Sequence, residues 1–400
     1  MRKFFSLDPN LLFYGFAIIF FASYGQTFFI SIYNLEIRSF YQLSDGQFGL
    51  IYSLATLLSS LLLVGFAKLI DHIDLRLYSF LIAIGLSISC LAMYFSYESI
   101  FVLFFIILGL RFFGQGAMSH AGETTMARYF GANRGKALSV STFGGMIGLM
   151  ILPLLTVQLT EIIRWKKIWL VSGLSILILF IPLLFLALQN QSFRHSNFSE
   201  SSKNLKNNKK WRIRDVIFDK KFYIYLPITI ATPFISTGIT FHQIFIINQK
   251  GWTLPMLANG FIFLGAFSIM GLMVGGPLVD KYKAKKIVIY SLTPLLIAML
   301  VLIFFENYFY MMIYMSLLGI NLGIGTPIIG SLWAELYGLE SLGTVKALLH
   351  ACMVFFSALS PVVFGYMIDF GLGVLSFCLI NLFIIFISTF LPIIYKNKNA

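Results

Sequence analysis

Long apolar runs alternate with short polar linkers along almost the whole chain. Most runs hold about 20 residues or more, the length at which an α-helix crosses the hydrocarbon core of a bilayer. A transmembrane barrel would instead show segments of roughly ten residues with alternating polarity. We therefore predict twelve transmembrane helices, among them Asn10–Tyr33, Gln47–Ile70 and Ser99–His120.

One long polar segment, residues 189–221, interrupts this pattern. It is rich in Ser, Asn and Lys, a composition that favours a flexible linker. We expect it to join an N-terminal six-helix bundle, residues 1–188, to a C-terminal six-helix bundle, residues 222–400. The predicted fold class is an all-α polytopic membrane protein with twelve transmembrane helices in two pseudo-symmetric six-helix bundles.

The composition supports a membrane location and explains the charge. Hydrophobic residues make up 58% of the chain and charged residues 11%, whereas soluble domains carry roughly 25% charged residues. The 29 Lys and Arg residues concentrate in alternate linkers, which the positive-inside rule assigns to the cytoplasm. We expect an inner (cell) membrane protein with both termini in the cytoplasm, contact with membrane lipid and no nucleic-acid partner.

Motifs for cofactor chemistry are missing from the sequence. There is no glycine-rich loop that ends in Gly-Lys-Ser/Thr, the signature of nucleotide-binding P-loops. The five histidines show no spacing typical of a metal site. We therefore expect no cofactor, no metal and no enzymatic activity.

The two halves carry similar landmarks about 210 residues apart. Asp71 corresponds to Asp280, and Lys136-Ala-Leu corresponds to Lys346-Ala-Leu. Duplicated halves that enclose a site near the bilayer midplane are a recurring design of transporters. The repeat therefore favours a transport function.

Arg111 is a single charge inside a long apolar run. Such a charge raises the free energy of membrane insertion by at least ~2.5 kcal/mol, so it is seldom retained without a role. Gln115 follows one helical turn later and would share its face. Arg111 either binds an anionic solute through its fork-shaped donors or bonds to the backbone or to a neighbouring helix.

Two motifs resemble those of the major facilitator superfamily. The segment Gly276-Pro-Leu-Val-Asp280-Lys-Tyr, followed by Lys285, is similar to the loop signature of that superfamily, with Lys283 in place of a usual glycine. We expect Gly276 to allow close helix approach and Asp280 to act as a latch. The segment Arg111-Phe-Phe-Gly-Gln-Gly is similar to the motif of the fourth span.

A narrower resemblance concerns the monocarboxylate-porter and oxalate/formate-antiporter branch. It rests on Arg128-Tyr-Phe-Gly-Ala-Asn-Arg-Gly-Lys-Ala and on Glu335-Leu-Tyr-Gly. That branch commonly places a basic residue deep in span eight or eleven. Here span eight has none, and span eleven has only Lys346 and His350 near one end, which weakens the organic-anion hypothesis.

The resemblance implies that spans one, four, seven and ten line a central cavity. The polar residues of these spans that we expect to bind the solute are Arg111, Gln115, Tyr24, Gln26, Thr27, Thr240, His242, Gln243 and Asn321. Interhelical hydrogen bonding, at ~0.6 kcal/mol per contact on average, is the alternative role for each. The residues that we expect to act in gating are Asp71, Arg76, Glu123, Arg128, Gly276, Asp280 and Lys285.

We predict a secondary active transporter that moves a small solute by alternating access. The first hypothesis is a monocarboxylate or another organic anion, carried with a coupling proton. The candidate titrating groups are His242, His350, His120 and Glu123, among which the sequence does not choose.

Two alternatives remain open. The first is an exporter of hydrophobic or drug-like compounds, which a cavity rich in Phe and Met would suit. The second, from another class, is a non-transporting membrane sensor. In each case we expect a monomer.

Overall fold

The computed structural model describes residues 2–189, 191, 213–338 and 342–398. Within these residues the regular structure is entirely helical. Eleven helices are long and apolar enough to cross a membrane, and a pair of helices bent by 43° at a short break passes the same test together. The predicted fold class is therefore confirmed, whereas the linker lies largely outside the described residues and its boundaries stay a prediction.

We number the spanning helices α1 to α12 in chain order. Their bounds are Pro9–Gly25 with Thr27–Tyr41 (α1), Asp45–Asp71 (α2), Leu75–Phe95 (α3), Ile100–Tyr129 (α4), Arg134–Thr160 (α5), Trp165–Ala187 (α6), Lys220–Phe241 (α7), Leu254–Tyr282 (α8), Ala284–Phe304 (α9), Tyr308–Tyr337 (α10), Val345–Asp369 (α11) and Val374–Tyr395 (α12). Short helices lie at Arg2–Phe5, Ile213–Ile217 and Gln243–Gln249. The largest departures from the predicted ends are in α1 and α4, which continue about two turns further.

The chain forms two compact units. The first comprises residues 1–43 and 54–206, and the second comprises residues 44–53 and 207–400. The start of α2 thus belongs to the second unit, which the sequence did not indicate. In the first unit α1 packs on α5 and α3 packs on α4 and α6, and in the second α7 packs on α11 and α9 packs on α10 and α12. The same pairings recur in both units, as a duplicated sequence predicts.

Capping side chains fix where several helices begin. The first turn of a helix has N–H groups without a partner inside the helix, and a side-chain oxygen just before the helix can accept from one of them. The residues whose side chains do this are Asp8, Asp74, Ser99, Asp219 and Asn307.

Glycines allow the closest helix contacts. A Cβ at Gly319 would overlap the carbonyl oxygen of Leu264, and one at Gly323 would overlap that of Ser268, so α10 packs against the backbone of α8. Gly144 brings α5 equally close to α1 at Phe16. Small residues at such spacing let membrane helices gain contact area where no hydrophobic driving force acts between them.

The packing role predicted for Gly276 is wrong. A Cβ at Gly276 would meet no described atom within 4 Å. The neighbouring Gly275 makes the close approach instead, because a Cβ there would lie 2.6 Å from Cγ of Pro327 and 3.1 Å from Cα of Ile324. An α-helix turns by about 100° per residue, so Gly275 lies on the face that packs against α10 and Gly276 lies on an open face.

These two adjacent glycines provide a matched test. We expect Gly275→Ala to lower the free energy of unfolding by about 1–3 kcal/mol, because the new methyl group overpacks against α10. We expect Gly276→Ala to change the free energy of unfolding by less than about 0.5 kcal/mol. The higher helix propensity of alanine is offset by the restriction that Pro277 places on the residue before it. Thermal unfolding of the two variants in detergent would measure both effects. Equal melting temperatures would contradict the packing assignment.

Lys283 follows α8 in an unusual backbone conformation. Its φ is 65° and its ψ is 142°, a region that is nearly restricted to glycine. The turn therefore keeps a glycine-like geometry although lysine stands where the resembling signature has glycine.

We expect Lys283→Gly to raise the free energy of unfolding by about 1 kcal/mol. The substitution removes about 1–3 kcal/mol of backbone strain and gives back part of it through the greater freedom of glycine in the unfolded chain. The control is Lys281→Gly, in the last turn of α8, which should lower stability by up to about 1 kcal/mol. Thermal unfolding should therefore shift in opposite directions, and a loss of stability in both variants would contradict the strain.

Candidate functional site

The first unit contains a break in α1. Gln26 has an extended backbone, with φ −82° and ψ 154°, and the helix bends by 43° there. Next to it, Gly25 of α1 crosses Gly114 of α4 so closely that a Cβ on Gly114 would lie 2.7 Å from Cα of Gly25. The crossing and the break thus occupy the same level of the helix pair.

The break leaves a carbonyl oxygen without its helical donor. In a continuous helix the N–H of Phe29 would bond to the carbonyl of Gly25, but here it bonds to that of Gln26 at 3.2 Å. Nη1 of Arg111 donates to the freed carbonyl oxygen of Gly25 at 3.1 Å. The arginine therefore supplies the hydrogen bond that the bent helix lacks.

Further hydrogen bonds hold Arg111 against two helices. Nε donates to Oγ1 of Thr56 in α2 at 3.1 Å, and Nη1 donates to Oγ1 of Thr27 at 3.4 Å. The side chain is only 2% exposed. These contacts match the alternative in which Arg111 bonds to the backbone and to neighbouring helices.

Arg111 lies in a π-helical segment of α4, Leu110–Met118. The hydrogen bonds of a π-helix join residues five apart, and such segments are frequent at functional sites. Gln115 is partly exposed whereas Arg111 is buried, so the two side chains have different surroundings. A joint role of the two in solute binding stays a prediction.

The other candidates of the first unit divide into two groups. The hydroxyl of Tyr24 is hydrogen-bonded to Oγ of Ser175 in α6, at 3.0 Å. The side chains of Gln26 and Gln115 are partly exposed and have no hydrogen bond with any residue in the described ranges. These two amides remain available to a solute.

The second unit has a corresponding interruption after α7. His242, with φ −100° and ψ 21°, separates α7 from the helix Gln243–Gln249. Thr240 and Gln243 flank this residue and face a pocket with an empty volume of about 340 Å³, including the part open to solvent. The lining residues are Ile239, Thr240, Gln243, Ile246, Ile247, Trp252, Leu257, Phe261, Leu264, Met311, Tyr314, Met315 and Leu318.

The pocket is largely apolar and contains few polar groups. Apart from the hydroxyl of Thr240 and the amide of Gln243, its polar side-chain groups are the hydroxyl of Tyr314 and the indole N–H of Trp252. The Tyr314 hydroxyl has no hydrogen bond within the described residues. A mainly apolar lining with a few polar groups is typical of small-molecule sites.

Two predicted ligands of the second unit point elsewhere. The amide of Asn321 donates to the carbonyl oxygen of Ser291 at 3.0 Å and accepts from Thr232 at 3.2 Å. Nε2 of His242 lies 2.8 Å from the carbonyl oxygen of Pro361. Both side chains are about 1% exposed and neither lines the pocket, so we leave them out of the proposed solute site.

Comparison with known proteins assigns the chain to a family. The family model of the Major Facilitator Superfamily matches residues 15–289 and 260–399. The chain belongs to this superfamily. The facilitator is therefore a secondary transporter that works by alternating access, and its membership favours transport over the sensor hypothesis.

Solved structures support the same fold. A bacterial homolog of the human lysosomal transporter Spinster, in an inward-facing and occupied conformation, matches with a TM-score of 0.65 and 14% identity over 96% of each chain. Its inward-facing, unoccupied form matches with a TM-score of 0.61 and 15% identity over 96% of this chain and 93% of the other. No curated protein sequence matches the facilitator.

The gating candidates of the first unit form two ion pairs. Arg128, at the end of α4, pairs with Asp71 at the end of α2 and reaches the carbonyl oxygen of Ile70 at 3.4 Å. Arg76 instead pairs with Asp74 at 3.1 Å. Burial alone would raise the pKa of Asp74, but hydrogen bonds from the side chain and backbone of Arg76 hold it below its usual value.

In the second unit a carboxylate accepts hydrogen bonds at the loop between α8 and α9, which corresponds to the loop between α2 and α3. Glu335, near the end of α10, accepts from the N–H of Ala284 at 2.7 Å and from that of Lys285 at 3.1 Å. Asp280 is exposed and has no ion pair with a described residue, and Glu123 is also exposed. The gating roles of Asp280, Glu123 and the other gating candidates stay predictions.

Several residues of these sites were not predicted. Thr56 and Tyr314 lie in apolar runs and carry no signal beyond residue type. The spacing of Met311, Tyr314, Met315 and Leu318 is the helical i, i+3, i+4, i+7 pattern, which indicates one shared face. That pattern predicts the pocket wall but not whether the wall faces a cavity or another helix.

We expect the Arg111 clamp to appear as energetic coupling. Thr56→Val removes one acceptor of a charged donor and should lower the free energy of unfolding by about 1.5–3 kcal/mol. In a double-mutant cycle with Arg111→Met the two losses should be non-additive by about 0.5–3 kcal/mol. Thermal unfolding in detergent measures both. The exposed Thr326, changed to Val, is the control, and strict additivity would contradict the clamp.

Proposed function

We propose that this facilitator transports an amphipathic, mainly apolar small molecule bound in the second unit. The observation that carries the proposal is the apolar lining, with a few polar groups, of the pocket beside the interruption after α7. Its aliphatic, aromatic and methionine side chains match the alternative of an exporter of hydrophobic compounds. Methionine fills irregular gaps and adapts to varied ligands, which suits such a pocket.

The polar groups of the pocket would orient the solute. Thr240 and Gln243 are near the end of α7 and the start of the following helix, whereas Tyr314 approaches from α10. A solute with one hydroxyl, amide or ether group could bond to this edge while its apolar part contacts Leu257, Phe261 and the methionines. Discontinuous membrane helices often provide substrate sites in transporters.

A small organic anion, such as a monocarboxylate, is the second candidate solute. Arg111 places a permanent positive charge inside the first unit. Gln26 follows Gly25 in the chain, and a Cβ on Gly25 would lie 3.1 Å from the backbone nitrogen of Gln115. An arginine fork is the preferred partner of a carboxylate. The hydrogen bonds of Arg111 to Thr56, Gly25 and Thr27 favour a structural role instead, so we rank this candidate second.

We also propose an orientation and an oligomeric state. The basic linkers support the placement of both termini in the cytoplasm of a cell whose inner membrane holds the protein. We propose a monomer, coupled to a proton. The solute pocket lies within one chain and needs no second copy.

The pocket predicts a specific pattern of binding losses. Tyr314→Phe and Thr240→Val keep the shape and remove one hydroxyl each, so each should weaken the binding of an amphipathic alcohol or amide by roughly 2- to 12-fold. The measurement is equilibrium binding in nanodiscs, followed by the fluorescence of Trp252 against a Trp252→Phe reference. The exposed Tyr223, changed to Phe, is the control and should leave affinity unchanged.

A compound panel separates the two candidate solutes. It contains neutral amphipathic alcohols and amides on one side and monocarboxylates on the other. We expect the first group to bind and to be carried into proteoliposomes. Binding confined to monocarboxylates, insensitive to Tyr314→Phe, would replace the proposal by the organic-anion candidate.

A further inference from the structure

The first turn of α2 is fixed against α11 within the second unit. The carboxylate of Asp369, the last residue of α11, accepts from the hydroxyl of Ser44 at 2.7 Å, from the N–H of Asp45 at 3.1 Å and from that of Gly46 at 3.0 Å. Such N–H groups have no partner inside their own helix. The backbone at Asp45 is therefore held in place beside α11.

His242 is oriented by one of its two ring nitrogens. Nε2 lies 2.8 Å from the carbonyl oxygen of Pro361. A carbonyl oxygen can only accept, so Nε2 carries a hydrogen and donates it. The rings of Phe241 and Phe377, at centroid distances of 4.9 and 6.4 Å, enclose the imidazole and exclude water.

The second ring nitrogen faces a carboxylate. Nδ1 lies 3.6 Å from Oδ1 of Asp45, and it has no hydrogen bond with any group that the structure describes. In a neutral ring with a hydrogen on Nε2, Nδ1 presents a lone pair. That lone pair would face a negative oxygen at a site where the His242 side chain is 0% exposed and that of Asp45 is 10% exposed. One additional proton converts this repulsion into a buried, charge-assisted contact.

We infer that His242 and Asp45 together bind a single proton and form a proton site of the second unit. The geometry selects His242 among the candidates that the sequence left open. The positive end of the α2 helix dipole stabilises the carboxylate form of Asp45. The proton therefore resides on the ring, and the pair is an imidazolium beside a carboxylate.

The contacts place two further titratable groups next to the pair, Asp369 on α11 and Tyr52 on α2. On α12, Cys378 follows Phe377, whose ring packs on the imidazole, and its thiol is within electrostatic range of Lys250. Asp369 is bonded to three donors of the α2 start, and Tyr52 packs its ring on Phe241 at 4.5 Å. Asp45 is the carboxylate whose oxygen lies within ion-pair distance of the His242 ring, at 3.6 Å.

The role of this proton in transport rests on the proposed function. Histidine changes its charge between about pH 5 and 8, within the range of natural proton gradients. If Asp45 moves away from His242, the ring loses the carboxylate that stabilises its charge and releases the proton. A proton bound in one arrangement of α2 and α7 and released in another is what coupling requires.

Nitrogen NMR of the histidine rings tests the site without any solute. The full chain is labelled with ¹⁵N-histidine and placed in nanodiscs, and His242→Gln identifies the signals of one ring among five histidines. We expect both nitrogens of His242 to be protonated at pH 7. In Asp45→Asn the ring should become neutral, with its hydrogen on Nε2, because the asparagine amide can donate to Nδ1.

The controls separate this site from a general effect of histidine. His120, whose Nε2 lies 3.3 Å from the hydroxyl of Thr124, is changed to Gln and should leave the His242 signals unchanged. A neutral His242 ring at pH 7 in the wild type would overturn the inference. An unchanged ring in Asp45→Asn would overturn it as well.

A stability cycle provides an independent readout at the same pH. His242→Gln and Asp45→Asn should each lower the melting temperature, and the double variant should lose less than the sum of the two, because each single change already removes the interaction between the two groups. Additive losses would overturn the pairing. Both experiments can succeed while no solute of the proposed class binds, so failure of the proton site and failure of the solute pocket are distinguishable.

Discussion

Backbone groups inside a bilayer must find their hydrogen-bond partners within the protein, because the hydrocarbon offers none. This constraint decides how α1 can bend. The break at Gln26 frees the carbonyl of Gly25, and the guanidinium of Arg111 restores the lost bond. The same side chain reaches Thr56 on α2, so one buried charge holds a bent helix and its neighbours in register. The rest of the first unit packs around this arrangement.

The second unit meets the same constraint with different groups. Pro361 has no N–H to donate to the carbonyl oxygen of Ser357 in α11. The hydroxyl of Ser360 donates to that oxygen instead, at 3.0 Å. The carbonyl of Pro361 receives the extra donor from His242. At these two irregular positions a short or buried side chain thus supplies a local donor, and the interruption beside Thr240 and Gln243 borders the pocket.

The sequence predicted the number and type of the helices because long apolar runs have one stable form in a bilayer. It did not predict the break in α1, because glutamine is compatible with a helix. The bend lies at the close contact of Gly25 with Gly114, which a sequence pattern does not reveal. The sequence also assigned the close helix contact to Gly276 and not to Gly275. Adjacent residues face different directions on a helix, and no periodic signal distinguishes the two glycines. Tyr314 was missed because it is one of 19 tyrosines in the chain, and the cavity beside it is formed by four helices together.

The two interruptions differ in one chemical respect that bears on transport. Arginine keeps its proton at every physiological pH, so the hydrogen bonds from Arg111 to Gly25 and Thr27 do not depend on pH. Histidine can gain or lose a proton in that range, and only one nitrogen of His242 is committed to a carbonyl oxygen. The proton site that we propose therefore belongs to the second unit, whereas the charge of Arg111 in the first unit is permanent.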